Sequence, residues 1–384
     1  MNPPTDRPSR PATPRRILIV RLSAIGDIVM ASGLIPALTT LYPQAEVSWL
    51  CEAGCVPLLQ HNPRLHQVIV WPRGEWEQLL KARRFLALWR AVRAFRAKLR
   101  AEQFDLVLDG QGLLKSGLMA WFTGAPRRVS IIAREGSHRL VHEVVTPPSG
   151  VDPVMGSEYR YLAHHLGAPQ GSFVHDLAVG EAQRATAATA LQTALQALAP
   201  QAAASPTPTA RPVIAFAPFT TRPQKHWVEA HWIELGHLLL AQGLQPVILG
   251  GPADREAAAR IVAAQPGIVS LAGALKLDES IALIAQAQGL VGVDTGLTHM
   301  GSALRIPTVA LFGSTRPYRE GPTPGTVILY DALPCSPCRR RPTCNGAFTC
   351  MTQLTSARAR DALLGALAAG AQADLRHGSQ EVDA

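Results

Sequence analysis

Three segments hold side chains that could handle a charged, departing group, and each follows an apolar run. In Val291-Gly292-Val293-Asp294-Thr295-Gly296-Leu297-Thr298-His299 a strand-like run ends in Asp-Thr-Gly and a helix starts at once. A helix N-terminus offers free N–H groups and a positive dipole end, so a phosphate fits there. Gly296 allows close backbone approach, and Asp294 can accept hydrogen bonds from sugar hydroxyls. Asp294 and Thr295 equally fit an ordinary helix cap. The next run, Ala310 to Phe312, ends in a second small, polar turn, Gly313-Ser314-Thr315. Thr220-Thr221-Arg222-Pro223-Gln224-Lys225-His226-Trp227 places hydroxyls, Arg and Lys in one loop, suited to a pyrophosphate or to plain solvation. Lys225 is the candidate to offset charge on a departing diphosphate. Asp27, at a helix start, is the candidate general base for a sugar hydroxyl, and fits a cap as well.

Cys335, Cys338, Cys344 and Cys350 form C-x₂-C-x₅-C-x₅-C. Four thiols so close suit a tetrahedral structural zinc or iron site, free thiols or a redox pair. The spacing is not that of a familiar zinc ribbon. Cys51 and Cys55 read as packing residues at a strand end. The chain has no G-x-G-x-x-G after its first strand, no G-x-x-x-x-G-K-[ST], no G-x-S-x-G and no H-E-x-x-H. Dinucleotide, P-loop, hydrolase-elbow and zincin chemistry therefore have no signature here.

The positioning elements alternate. Ile17 to Val20 is an uninterrupted apolar run of the kind buried in parallel sheets. It is followed by Ser23-Ala24-Ile25-Gly26-Asp27, a helix over 27–41 and a strand at Val47–Leu50. Further strands are expected at Gln67–Trp71, Phe104–Leu108 and Val129–Ser130, with helices over 76–100 and 113–122. After 212 the alternation restarts, with strands at Val213–Ala217, Pro246–Leu249, Val269–Leu271, Gly289–Val293 and Thr308–Phe312. Helices over 229–242, 254–264, 277–287 and 297–304 separate them, and 356–369 reads as a final helix. The expected organisation is a disordered leader over 1–14 and a Rossmann-like domain over 15–198. An Ala/Pro linker or insertion over 199–212 leads to a second Rossmann-like domain over 213–354, which holds the cysteine cluster. A helix over 355–370 and a tail over 371–384 complete the chain. The fold class is α/β, two doubly wound domains facing a cleft.

The 384 residues suit two domains, and 47% hydrophobic residues suffice for two cores. The net charge is +9 and the pI about 9.6. Between Arg73 and Arg100 nine basic residues face only Glu75 and Glu77, a net of +7. Such a field suits an anionic partner or a solvated helix face. The run lacks a nucleic-acid-binding motif or stacking pattern, so no nucleic-acid partner is expected. No transmembrane run or secretory h-region is present, so the expectation is a cytoplasmic protein with reduced thiols.

Ile17 to Asp27 (ILIVRLSAIGD), Thr220 to Trp227 (TTRPQKHW) and Asp294 to Pro307 (DTGLTHMGSALRIP) resemble the ADP-heptose:lipopolysaccharide heptosyltransferases, inverting enzymes of glycosyltransferase family nine. The match runs in order from about Arg15 to Leu367, and the Lys-His-Trp element is most similar to the heptosyltransferase I branch. The resemblance implies a GT-B fold, with the acceptor on the N-terminal domain and ADP-heptose on the C-terminal one. It implies Asp27 as base and Thr220, Thr221 and Lys225 on the diphosphate. Glu256 would lie at the ribose, and Asp294, Thr295, Gly296, Leu297 and His299 at the sugar and phosphate. Arg73 and Arg134 would face acidic groups of the acceptor, a Kdo-lipid A at the inner leaflet of the cytoplasmic membrane. Catalysis would need no metal. The cysteine cluster and the 199–212 insert depart from heptosyltransferase I, and the cluster is similar to the metal-binding finger of protein-modifying relatives. A heptosylated core or a protein serine are the alternative acceptors; a non-catalytic nucleotide-sugar binder is the rival of another class.

Overall fold

The computed structural model describes residues 13–148, 154–198, 211–315 and 317–380. The leader expected over 1–14 and the insert over 199–212 lie outside them, apart from 13–14 and 211–212.

The apolar runs lie in two parallel, six-stranded sheets. The first half contains β1 (Arg16–Val20), α1 (Ile25–Ala31), α2 (Leu34–Leu41), β2 (Glu46–Glu52), β3 (Leu65–Trp71), α3 (Arg73–Lys81) and α4 (Phe85–Ala101). It continues with β4 (Leu106–Asp109), α5 (Leu114–Phe122), β5 (Arg127–Ile131), β6 (Glu143–Val145), α6 (Ser157–His165) and α7 (Glu181–Leu198). The second half contains β7 (Val213–Ala217), α8 (Glu229–Ala241), β8 (Gln245–Ile248), α9 (Arg255–Ala264), β9 (Val269–Ser270) and α10 (Leu277–Gln286). It ends with β10 (Gly289–Val293), α11 (Gly296–Ala303), β11 (Thr308–Phe312), β12 (Thr326–Tyr330), α12 (Thr349–Thr352) and α13 (Ser356–Gln380).

The first sheet runs β3-β2-β1-β4-β5-β6 and the second β12-β11-β10-β7-β8-β9, the same doubly wound order read from opposite edges. In such a sheet the crevice opens where the order reverses, beyond the carboxyl ends of the strands. Those points are β1/β4, where Val20 pairs with Asp109, and β7/β10, where Ala217 pairs with Gly292. Asp27, Lys225 and Asp294 follow three of these four strands, β1, β7 and β10.

Burial on both faces explains the uninterrupted apolar runs. Ile17 and Ile19 join one core cluster with α1 and α2, whereas Leu18 and Val20 join another with Phe95 and Met119. Each fully buried aliphatic side chain contributes about 1.5–3 kcal/mol. One cluster continues through Leu34 and Ile35 into Ile284 and Met300, so apolar packing crosses between the domains.

Two expected helices are broken. The one over 27–41 divides into α1 and α2 at Ser32-Gly33. The Ser32 hydroxyl donates to Val29 O (2.7 Å) and accepts from Asp176 N (2.9 Å), and a Cβ on Gly33 would lie 2.7 Å from the Phe173 ring. The one over 76–100 divides into α3 and α4 at Arg83, whose φ of 54° is left-handed. α6, α7, α12, β6 and β12 were not expected. α7 buries only Ala187 and packs on α10 of the second domain. α13 extends past the expected end at 370 to Gln380.

Candidate functional site

In the second domain, charge gathers on Asp294. Lys225 Nζ lies 2.5 Å from its Oδ2 and His299 Nε2 lies 3.4 Å from its Oδ1. The Thr315 hydroxyl donates to Oδ2, and Tyr318 OH lies 3.2 Å from His299 Nδ1. Burial alone would raise the Asp294 pKa; His299 and Lys225 overcome it and hold the carboxyl well below its usual range. Asp294 is thus a fixed anion that aims the Lys225 ammonium. The capping alternative is not what forms. Thr295 stands at the N-cap of α11 with no side-chain capping bond, which leaves that N-terminus open to an anion. A Cβ on Gly292 would lie 2.1 Å from Thr298 Oγ1, so this strand end admits only glycine.

The loop after β7 brings Lys225 in. The Thr220 carbonyl is 2.8 Å from His226 Nε2, Gln224 is buried, and Thr221 is exposed. Leu297 is half-buried against the core. Glu256 stands apart from the Asp294 group: its side chain is 92% exposed and its ion pair, at 3.5 Å, is with Arg260 one turn on.

In the first domain, Asp27 lies in the first turn of α1. Its Oδ2 is 2.5 Å from Arg21 Nη2 and accepts from Ala24 N at 3.2 Å. Both contacts use Oδ2; among the described residues Oδ1 has no hydrogen-bond partner, and the side chain is 39% exposed. One oxygen of this carboxylate therefore closes the helix start while the other stays accessible. Arg21 is buried and donates to Gly110 O at 3.3 Å. Burial works against its charge, but Tyr159 and Asp27 more than offset that and raise its pKa.

The structure adds residues that the sequence did not single out. Glu52, at the end of β2, accepts from Ser23 Oγ (3.2 Å), Arg73 Nη1 (3.1 Å) and Lys115 Nζ (3.3 Å). Arg73 is held further by Glu77 at 2.6 Å. Asp109 is buried and accepts from Gln111 N and Gly112 N, each at 3.0 Å, which fixes the loop after β4. Gln111 Oε1 in turn accepts from Leu22 N at 3.1 Å. Arg134 is exposed on the loop after β5, where Ile132, Glu135 and Gly136 all have positive φ. Its backbone N–H donates to Gly112 O at 2.7 Å, and no side-chain ion pair forms for it among the described residues. A strand-terminal Glu reads as a solvated charge in sequence, so nothing local marked Glu52.

The two halves meet helix end to helix end. A Cβ on Gly26 would lie 2.7 Å from His299 Cδ2, and one on Gly296 would lie 2.5 Å from Ile25 Cγ2. The N-termini of α1 and α11 therefore touch through two glycines, next to Asp27 on one side and Asp294 and His299 on the other.

All six cysteines are free thiols. Among the described residues no three His, Cys, Asp or Glu side chains come together as a metal-ligand set, although the Cys335, Cys338 and Cys344 thiols all act on Cys350 and, after burial, raise its pKa. Cys350 is drawn into the core beneath Gly313, whose Cβ would lie 2.7 Å from its sulfur, whereas Cys335 stays exposed on the preceding loop. Cys51 and Cys55 are packing residues as expected, and burial pushes their thiols up to about 12 and about 11.

The chain is similar to known proteins in sequence and in fold. The model of glycosyltransferase family 9 (heptosyltransferase) matches residues 92–348. Lipopolysaccharide heptosyltransferase 2 of Escherichia coli is 29% identical over 315 residues, covering 79% of this chain and 84% of that protein. Lipopolysaccharide heptosyltransferase 1 of Pseudomonas aeruginosa is 29% identical over 344 residues, covering 85% and 86%. The solved structure of E. coli ADP-heptose lps heptosyltransferase II superposes with a TM-score of 0.69 at 26% identity, covering 92% of this chain and 98% of the other. The fold is GT-B, and the chain is a member of glycosyltransferase family 9, the heptosyltransferases.

Proposed function

We propose that this chain transfers heptose from ADP-heptose, with inversion, to a Kdo residue of the lipopolysaccharide inner core, carried on a lipid A precursor at the inner leaflet. The observation that carries the reading is the contact of α1 with α11. It sets a carboxylate with a free oxygen, Asp27, beside an uncapped helix N-terminus and the Lys225–Asp294–His299 group.

In the reaction the acceptor hydroxyl oxygen bonds to the anomeric carbon as the bond to the diphosphate oxygen breaks on the opposite face. Asp27 Oδ1 takes the hydroxyl proton. Lys225 and the α11 N–H groups, from Gly296 and Leu297 onward, meet the charge that develops on the departing ADP, with Thr220 and Thr221 beside it. Asp294 and Thr295 orient this group, and His299 joins it to the sugar. Glu256 is assigned to the ribose at the solvent-facing rim. Arg73 and Arg134 are assigned to acidic groups of the acceptor. No step draws on a metal.

A heptosylated core is the second reading, favoured by relatives named heptosyltransferase 2 at the same identity as those named heptosyltransferase 1. ADP release from ADP-heptose, with Kdo₂-lipid A against the same lipid lacking the accepting Kdo, tests the acceptor. Release only with Kdo is expected; release only with an already heptosylated core would replace the first reading by the second. In the same assay Asp27→Ala is expected to lose turnover by about 10²–10⁴-fold with donor affinity kept. Wild-type rates in that variant would remove Asp27 from the mechanism.

A further inference from the structure

α3 buries none of its residues, and α4 buries only Phe95 and Leu99 in its second half. The tip of this helical hairpin therefore stands off the core. It carries Leu80, Phe85, Leu86 and Trp89, which are 54%, 61%, 61% and 53% exposed. Single exposed apolar residues are ordinary, but four large ones within ten positions make a patch. Phe85, Leu86, Trp89 and Arg93 share one helix face at i, i+1, i+4 and i+8, whereas Phe95 and Leu99 turn to the core. The Arg93 guanidinium lies 4.6 Å over the Trp89 ring. Between Glu77 and Glu102 there is no acidic residue, and Lys81, Arg83, Arg84, Arg90 and Arg93 surround the apolar side chains.

We propose that the α3–α4 tip is a wedge that docks this enzyme on an anionic bilayer. Phe85, Leu86, Trp89 and Leu80 enter the headgroup boundary while the surrounding cations meet lipid phosphates. Apolar residues beside Lys and Arg on one helix face suit that boundary, where buried area and charge attraction add. No described helix is long and apolar enough to cross a membrane, so this is docking on a surface. A second copy of the chain is a poor occupant, because it would bring the same sign of charge to the same patch.

The wedge rests on the lipid-borne acceptor reading and adds a geometry to it. α3 starts at Arg73, which is tied to Glu52 by the cleft, and ends at the tip. Nine residues at 1.5 Å each make α3 roughly 13 Å long. A docked tip thus holds the cleft about one short helix from the bilayer, so an acceptor sugar enters while its acyl chains stay in the membrane.

The test is co-sedimentation of the full chain with vesicles of phosphatidylcholine alone or with added phosphatidylglycerol. Binding to the anionic vesicles, weakened by salt, is expected. The triple variant Phe85→Ser, Leu86→Ser, Trp89→Ser loses roughly tenfold or more in partitioning. The triple variant Arg83→Gln, Arg84→Gln, Arg90→Gln loses about 100-fold, at about 1 kcal/mol per cation. Both keep wild-type ADP release with a soluble, deacylated acceptor. Three results overturn the wedge: wild-type chain left in the supernatant with anionic vesicles, an apolar variant that binds as well as wild type, or an effect of the apolar variant on oligomeric mass alone. Vesicle binding that needs the tip, with no ADP release from any Kdo-bearing lipid, would instead sink the acceptor reading and leave the wedge standing.

Discussion

Gly26→Ala inserts one methyl group where α1 meets α11. The added Cβ would lie 2.7 Å from His299 Cδ2 and 3.4 Å from its Nε2. Ordinary carbon–carbon contact begins near 3.5 Å, so about 0.8 Å is missing. His299 cannot simply swing away, because Asp294 and Tyr318 hold its two ring nitrogens. The α1 and α11 ends must separate instead. Overpacking of this kind costs about 1–3 kcal/mol, and here it falls on the closed arrangement of the two domains. At 1.36 kcal/mol per tenfold, kcat drops by about 5- to 150-fold. The added methyl meets His299 and Gly296 and leaves the Lys225–Asp294 pair in place. The melting temperature is therefore expected to stay within about 3 °C, and ADP-heptose affinity to stay near wild type. Steady-state ADP release, isothermal titration with ADP-heptose and a thermal melt read the three quantities. A kcat within twofold of wild type would show that the α1–α11 contact is not part of the working geometry, and the reasoning would fail.

Two further predictions follow from the charges. Lys225→Ala removes a cation from Asp294 and from the departing diphosphate, so donor affinity and rate should both fall by at least tenfold, a loss on the order of 1.4 kcal/mol in each; unchanged donor affinity and rate would contradict the assigned role. His175 is half-buried with its Nε2 covered and unpartnered, and desolvation, with His299 nearby, lowers its pKa from the ordinary 6.5 to about 4. The folded state therefore refuses a proton that the unfolded chain accepts. Stability is full above pH 6.5 and falls as the pH drops from 6.5 to about 4. His175→Gln should flatten that part of the melting-temperature profile, and a profile parallel to wild type would rule the explanation out.

The strands were legible because parallel strands buried on both faces must be short, apolar and uninterrupted, as at Ile17–Val20 and Gly289–Val293. Those runs fixed the doubly wound class and the loops that follow them. Asp27, Lys225 and Asp294 were therefore candidates from local chemistry, with a helix cap or a solvated loop as the alternative for each. The helix breaks were not legible. Ser32-Gly33 answers to Asp176 and Phe173, which are distant in sequence. α7 is rich in Ala and Thr and buries only Ala187, so it carries no apolar stripe to read.

What the sequence determined by itself was the chemistry available at each strand end: a carboxylate, an ammonium, a helix start. What only the tertiary structure decided was their assembly. The two domains approach where Gly26 meets His299 and Gly296 meets Ile25, a fit of surfaces between residues at opposite ends of the chain. Glu52 became a hub because the sheet order set β2 beside β1, within reach of Ser23, Arg73 and Lys115. Cys350 went to the core and Cys335 to the surface because packing under Gly313 took one thiol and left the other. Local pattern carries residue type and backbone preference; long-range packing alone fixes which groups come within a few ångströms of one another.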